Sequence, residues 1–270
     1  MVSFPPCKIN LGLHILAKRP DGFHNISTCF YPVPWCDVLD IVAAKDFSFS
    51  LSGDLVPGAA ADNLCVRAYN ILKEDHKLEP VALHLLKIIP IGAGLGGGSS
   101  DAAYTLRSLN QLFDLSLSPE KMKEYAARLG SDCAFFIGNK PMIGTGRGEI
   151  LSEVALSLKG KYLAIVKPEV HISTAQAFST VKPRNPPTDL RQILEKHALL
   201  EWKELLKNDF EDDLFGKSPI LSALRQKLYA LGAGYASMSG SGSAVFGIFE
   251  KAVDLRKEFE SLTYWSGFLD

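Results

Sequence analysis

Apolar and polar residues alternate with a period of two over residues 7–17. This predicts a strand with Lys8, Asn10 and His14 on one face and Ile9, Leu11, Leu13 and Ile15 on the other. Further strands are predicted over 37–43, 47–51 and 81–89. At Asp62 the period changes. Leu64, Ala68, Ile71 and Leu72 share one face of a helix that Asp62 caps and that runs to about Lys77. Helices follow over 99–113 and from Ser118-Pro119 to Gly130, the latter a cap-and-stop pair. In the second half the pattern predicts a buried strand at 162–166, a polar loop at 182–188 and a helix at 219–231. Strands at 235–238 and 244–249 and a last helix at 251–262 complete it. The sequence has no internal repeat, and the order reads as α+β with two lobes. The turn-rich Gly144-Thr-Gly-Arg-Gly148 marks the boundary, giving lobes of 1–145 and 146–270.

Between the strand at 81–89 and the helix at 99–113 lies Pro90-Ile91-Gly92-Ala93-Gly94-Leu95-Gly96-Gly97-Gly98-Ser99-Ser100. Strand, glycine loop and helix start in that order form an anion site. Glycine lets the backbone approach a phosphate, and the helix start supplies unpaired N–H groups with a partial positive charge. The serine hydroxyls add donors or a ligand for a phosphate-bound cation. A Walker loop is excluded, since no Gly-Lys-Ser/Thr closes the run. Gly92, Gly94 and Gly97 satisfy G-x-G-x-x-G. However, a dinucleotide fold needs a second parallel strand soon after, and a new helix starts at Ser118 in its place.

Composition narrows the picture further. The 270 residues carry 47% hydrophobic and 22% charged side chains with a net charge of −1, so phosphate recognition has to be local and no global field attracts nucleic acid. The five cysteines form no C-x-x-C pair, which speaks for reduced, buried thiols in a cytoplasmic protein. No apolar run reaches the ~18 residues of a membrane span.

Three separated blocks resemble the GHMP kinases: the strand with Lys8 and Asn10, the loop Gly-Leu-Gly-Gly-Gly-Ser-Ser ending at Ser100, and Met238-Ser-Gly-Ser-Gly-Ser243. Pro6-Cys-Lys-Ile-Asn-Leu, Arg19-Pro-Asp-Gly-Phe-His24, Leu129-Gly-Ser-Asp-Cys133 and the triple glycine before Ser99 are similar to the branch whose acceptor is a cytidylylated methylerythritol in the non-mevalonate isoprenoid route.

The resemblance implies an N-terminal ribosomal-S5-like lobe that binds ATP, a C-terminal ferredoxin-like α/β lobe that binds substrate, and an active site in the cleft between them. It implies Mg2+, a small-molecule acceptor and a monomer or homodimer, without nucleic acid or membrane. Lys8 and Asp132 correspond to the catalytic pair. Residues 90–100, with Lys87, Asn63 and Leu64 near the adenine, correspond to the ATP site. Asn10, Phe23, His24, Thr174, Phe178, Ser239 and Gly240 correspond to substrate contacts, and Ser99 or Asp101 to the metal. Two positions depart from the branch, which usually has Tyr at Phe23 and Asn or a small residue at Asp101. Asp101 either helps hold the metal or points away. Read alone, Asp132 is a helix cap after Gly130, and Ser239–Ser243 is a hairpin turn. The alternatives are a kinase of mevalonate or homoserine type and a non-catalytic nucleotide-binding regulator.

Overall fold

The computed structural model describes residues 1–270. In chain order the first part holds β1 (Val2–Ser3), β2 (Pro6–Lys18), β3 (His24–Cys36), β4 (Val38–Ala43), β5 (Ser48–Gly53), α1 (Leu64–His76) and β6 (Val81–Lys87). Next come α2 (Gly97–Leu112), α3 (Pro119–Leu129), α4 (Cys133–Gly138), β7 (Met142–Thr145), β8 (Ile150–Glu153) and β9 (Tyr162–Lys167). The remainder is α5 (Thr174–Thr180), α6 (Leu190–Lys196), α7 (Trp202–Leu205), α8 (Glu211–Lys217), α9 (Pro219–Ala230), β10 (Tyr235–Met238), β11 (Val245–Phe249) and β12 (Thr263–Phe268). No helix is long and apolar enough to cross a membrane.

The residues pack as two compact units that are discontinuous in sequence. One comprises Met1–Cys7, Trp35–Ile91 and Gly96–Lys140; the other comprises Lys8–Pro34, Gly92–Leu95 and Pro141–Asp270. By packing, residues 8–34 therefore go with the carboxy-terminal residues, where the sequence suggested one cut after 145.

The first unit is built on the sheet β1-β4-β6-β5, antiparallel except for the β5–β6 pair. Along β6 the buried residues are Val81, Leu83, Leu85 and Lys87, while His84 faces solvent. The pleat thus carries a lysine onto the buried face, where it needs charged partners. Asn63, rather than Asp62, caps α1, its side chain accepting the Cys65 N–H at 2.9 Å, because Asp62 closes a short turn at Ala60–Asp62.

The second unit holds two sheets, β2-β3-β7-β8 and β10-β11-β9-β12. Its core joins Leu13, Ile15 and Ile26 to Val166, Leu221, Leu228, Met238 and Val245. The helix expected over 251–262 is absent. A short turn at Arg256–Phe259 leads into β12, which pairs antiparallel with β9. Four central residues of β9 are buried, so both its edges need hydrogen-bond partners; β11 satisfies one and β12 the other. The sequence reading also missed β3, which contains Pro32 and Pro34. Those prolines lie beyond Thr28–Phe30, the stretch paired with β7.

Candidate active site

In the second unit, three sequence blocks meet at one carbonyl. Gly94 O accepts Lys8 Nζ at 3.0 Å and Ser239 Oγ at 2.9 Å. Lys8 Nζ also donates to Asn10 Oδ1 at 2.6 Å and lies 5.3 Å from the centre of the Phe30 ring. The main chain fixes the same approach, since Lys8 N–H donates to Leu95 O at 2.9 Å and Ala244 N–H to Ala93 O at 3.1 Å. Gly94 is required here twice over. Its φ is +76°, and a Cβ would lie 1.9 Å from Ser239 O. Lys8 and Asn10 are buried, so Lys8 is not the solvated lysine that its strand position alone would suggest.

The turn carrying Ser239 and Gly240 is held from behind by residues the sequence reading did not single out. Asn208 Nδ2 donates to Met238 O and Gly240 O, both at 2.8 Å. Glu211 accepts the Met238 N–H at 2.7 Å and the Ser237 hydroxyl at 2.8 Å. Burial pushes the Glu211 carboxyl up, and Arg225 opposes this from 2.6 Å. Thr174 Oγ1 lies 3.3 Å from Ser241 Oγ, which ties the start of α5 to the same turn.

Nearby in this unit the His24 imidazole stacks on Phe178 with ring centres 5.1 Å apart, and Phe178 meets Phe210 edge-on at 4.9 Å. Burial, helped by Lys18, holds the His24 pKa below its ordinary value of 6.5, so the ring is neutral at pH 7 with one donor and one acceptor nitrogen. Phe23 is 54% exposed, and the Arg147 guanidinium lies over it at 5.0 Å. Aromatic faces and edges of this kind can pack against a heteroaromatic ring.

The first unit carries the other residues. Gly96 enters α2 in the left-handed region, and the first intrahelical bond runs from Ser100 N–H to Gly96 O at 3.0 Å. The N–H groups of Gly97, Gly98 and Ser99 precede it and have no partner within the helix. The Ser99 hydroxyl hydrogen-bonds the Cys133 sulfur and opposes the burial that pushes that thiol up to about 11. Asp132, next to Cys133, opens α4 but makes no side-chain capping bond, which removes the cap as its explanation. Leu64 begins α1, its Cδ1 3.9 Å from where a Cβ on Gly98 would sit, and the Asn63 side chain is occupied at the α1 cap.

Lys87 and Asp101 are paired with each other, which matches the alternative that Asp101 points away from a metal. The Lys87 ammonium is buried beneath the first turn of α2, 2.8 Å from the position of a Cβ on Gly97. It pairs with Asp101 at 2.8 Å and with Asp37, whose other oxygen accepts the N–H groups of Ile88 and Ile89 at 2.6 and 2.8 Å. Desolvation pulls the Lys87 pKa down, but the two carboxylates outweigh it and the net shift is upward. The Lys87 ammonium thus sits directly under Gly97 of the glycine loop, and Asp101 faces the lysine. Asp101 Oδ1 and Ser100 Oγ are buried without hydrogen-bond partners. No group of three or more His, Cys, Asp or Glu side chains is arranged to hold a metal ion.

The GHMP kinases N terminal domain model matches residues 63–139, and the GHMP kinases C terminal model matches residues 190–264. A Cytophaga hutchinsonii protein named 4-diphosphocytidyl-2-C-methyl-D-erythritol kinase is 50% identical over 250 residues, covering 92% of each chain. A protein of the same name from Bacteroides fragilis is 49% identical over 266 residues, 97% of each. A crystal structure of 4-(cytidine 5'-diphospho)-2C-methyl-D-erythritol kinase superposes with a TM-score of 0.83 at 30% identity, covering 99% of this chain and 98% of the other. The Methanococcus jannaschii mevalonate kinase, 14% identical, shares the fold with a TM-score of 0.72 over 100% of this chain and 98% of its own.

Proposed function

The chain belongs to the GHMP kinases, and from that premise we propose that it transfers the γ-phosphate of ATP to the 2-hydroxyl of 4-diphosphocytidyl-2-C-methyl-D-erythritol. One observation carries the reading: Lys8, the glycine loop and the Ser239 turn converge on Gly94 O, so the residues expected at the acceptor are fastened to those expected at the phosphates. The relatives of the same name supply the substrate, and the His24–Phe178 stack offers its cytosine a surface and an edge.

The chemistry limits what Asp132 can do. An alcohol is about as weak an acid as water, with a pKa of ~15.7, and an aspartate is near ~3.9. Complete deprotonation before attack would cost about 12 units, or roughly 16 kcal/mol, which is the whole barrier of a turnover of about 10 per second. Asp132 thus orients the hydroxyl and accepts its proton late, as the new P–O bond develops. Lys8 offsets the charge that accumulates on the transferring group.

The ATP phosphates fit the loop, whose glycines leave the approach to the first turn of α2 clear of Cβ atoms. Mg2+ fits the protein less well, since Asp101 is committed to Lys87 and no group of three or more His, Cys, Asp or Glu side chains is arranged to hold a metal ion. Of the loop's hydroxyls Ser99 is the one that would be offered to a cation arriving with ATP, which would supply charge neutralisation at the phosphates. The enzyme works in the cytoplasm on a small molecule, which agrees with five free cysteines.

The test is phosphate transfer from ATP to 4-diphosphocytidyl-methylerythritol, mevalonate and homoserine in parallel. Turnover of the cytidylylated alcohol alone is expected. Turnover of either other alcohol without it overturns the reading.

A further inference from the structure

Beside Lys8 lies a buried hydrogen-bond relay whose direction is fixed at every step. Lys8, Asn10 and Thr28 are 3%, 2% and 0% exposed, so water does not reassign their partners. The relay begins at Gly12 O, which can only accept. Thr28 Oγ1, 2.6 Å away, must donate its single proton to it. The hydroxyl then has only lone pairs left for Asn10, 2.9 Å away, and the Asn10 group facing it must be the NH2. The other end of that amide is the carbonyl oxygen, and it meets the Lys8 ammonium, a pure donor, at 2.6 Å. Each assignment forces the next, from a backbone carbonyl to the position of a charge.

Reversing the amide would set its NH2 against the ammonium and its carbonyl against an oxygen whose proton is already used. Both contacts would become repulsive in a site that water does not reach. The Lys8 ammonium is thereby held between Asn10 Oδ1 and Gly94 O, the second being a backbone atom of the phosphate loop. Gly12 has a φ of +67°, and Leu190 and Leu206 carbons lie 2.7 and 3.5 Å from the position of a Cβ there, so a side chain at this residue would be strained and crowded.

We propose that Thr28 is a positioning residue for phosphate transfer: its hydroxyl locks the Asn10 amide with the carbonyl towards Lys8 and so sets where the catalytic ammonium stands. This rests on the reading that Lys8 acts in catalysis. Thr28 itself is placed to touch neither substrate.

Thr28→Val keeps the β-branched shape and removes both hydrogen bonds. Its kcat should fall about 10²-fold, the scale of a misplacement near 1 Å, while the KM for ATP stays within about twofold. Thr28→Ser retains the hydroxyl and should restore kcat. In a Lys8→Ala background Thr28→Val should add almost nothing, because both changes act through one group. If Thr28→Val does not fold, as read by circular dichroism and thermal melting, Thr28→Ala with the same Ser rescue replaces it.

The proposal is overturned if the variant lacking the hydroxyl turns over like wild type while Lys8→Ala is inactive. It is equally overturned if the two losses multiply in the double variant. Wild-type turnover in Lys8→Ala overturns the reading of Lys8 along with the proposal, and that result is seen in the single variant alone.

Discussion

The Lys87 ammonium and the Asp101 carboxylate form an ion pair 2.8 Å long with both side chains buried, so the first turn of the helix that follows the glycine loop is fastened from below. With Asp37 the cluster holds two acids and one base. Asp37 is further satisfied by two N–H groups, whereas Asp101 Oδ1 has no partner. The surplus negative charge therefore falls on Asp101.

Burial pushes the Asp101 carboxyl from its ordinary value of 3.8 up to about 7, with Lys87 opposing and Asp37 adding to the rise. Between those two values the folded chain holds a proton that the unfolded chain has released. This group's stabilisation is then complete below about pH 4, is lost as pH rises towards about 7, and is level above that. Asp101→Asn should flatten that part of the pH–stability curve in urea titrations from pH 4 to 8. A wild-type slope retained in the variant contradicts the assignment.

Removing the base is harsher. Lys87→Met leaves two buried carboxylates uncompensated and should cost about 3–5 kcal/mol of stability. A melting temperature like that of wild type would show that the pair does not hold the loop helix.

Two glycines of the loop should behave oppositely. In Gly94→Ala the new Cβ meets Ser239 O at 1.9 Å in a left-handed residue, so nucleotide binding and stability should both collapse. In Gly98→Ala the nearest neighbour is Leu64 Cδ1 at 3.9 Å, and a helical alanine should stabilise by about 0.4–1 kcal/mol. Thermal melts with and without ATP separate the cases. Lost ATP affinity in a fully stable Gly98→Ala protein would report a phosphate in that space.

Phe178 should govern the acceptor alone. Phe178→Leu keeps apolar packing against Phe210 and removes the ring that stacks on His24. The KM for the cytidylylated acceptor should rise about tenfold, near the upper end of what an aromatic pair contributes, with the KM for ATP unchanged. Equal changes in both constants would contradict a base-recognition role.

What the sequence made legible was local. The glycine-rich turn into α2, the cap-and-stop pair at Ser118 and Gly130, and the strand around Lys8 are each read from neighbouring residues and each forms, although the polar face of that strand is as buried as its apolar one. The misses depend on distant partners. β12 is a strand because β9 has an open edge, and β3 extends through Pro32 and Pro34 because its pairing with β7 ends before them. The resemblance placed Lys87 near the adenine, but its ion pairs with Asp37 and Asp101 follow from no local pattern. Thr28 and Asn208 carried no signal of their own, since a lone threonine or asparagine gains meaning only from the carbonyls it meets. The even alternation along β6 did contain a clue, for it placed Lys87 with Leu83 and Leu85 on the buried face.

The most direct test compares γ-phosphate transfer to 4-diphosphocytidyl-methylerythritol by the wild-type protein, Lys8→Ala and Asp132→Ala, with ATP binding titrated in each. The account predicts that both variants bind ATP nearly as wild type does and lose about 10²-fold or more in turnover. Wild-type turnover in either variant, or loss of ATP binding in step with activity, would contradict it.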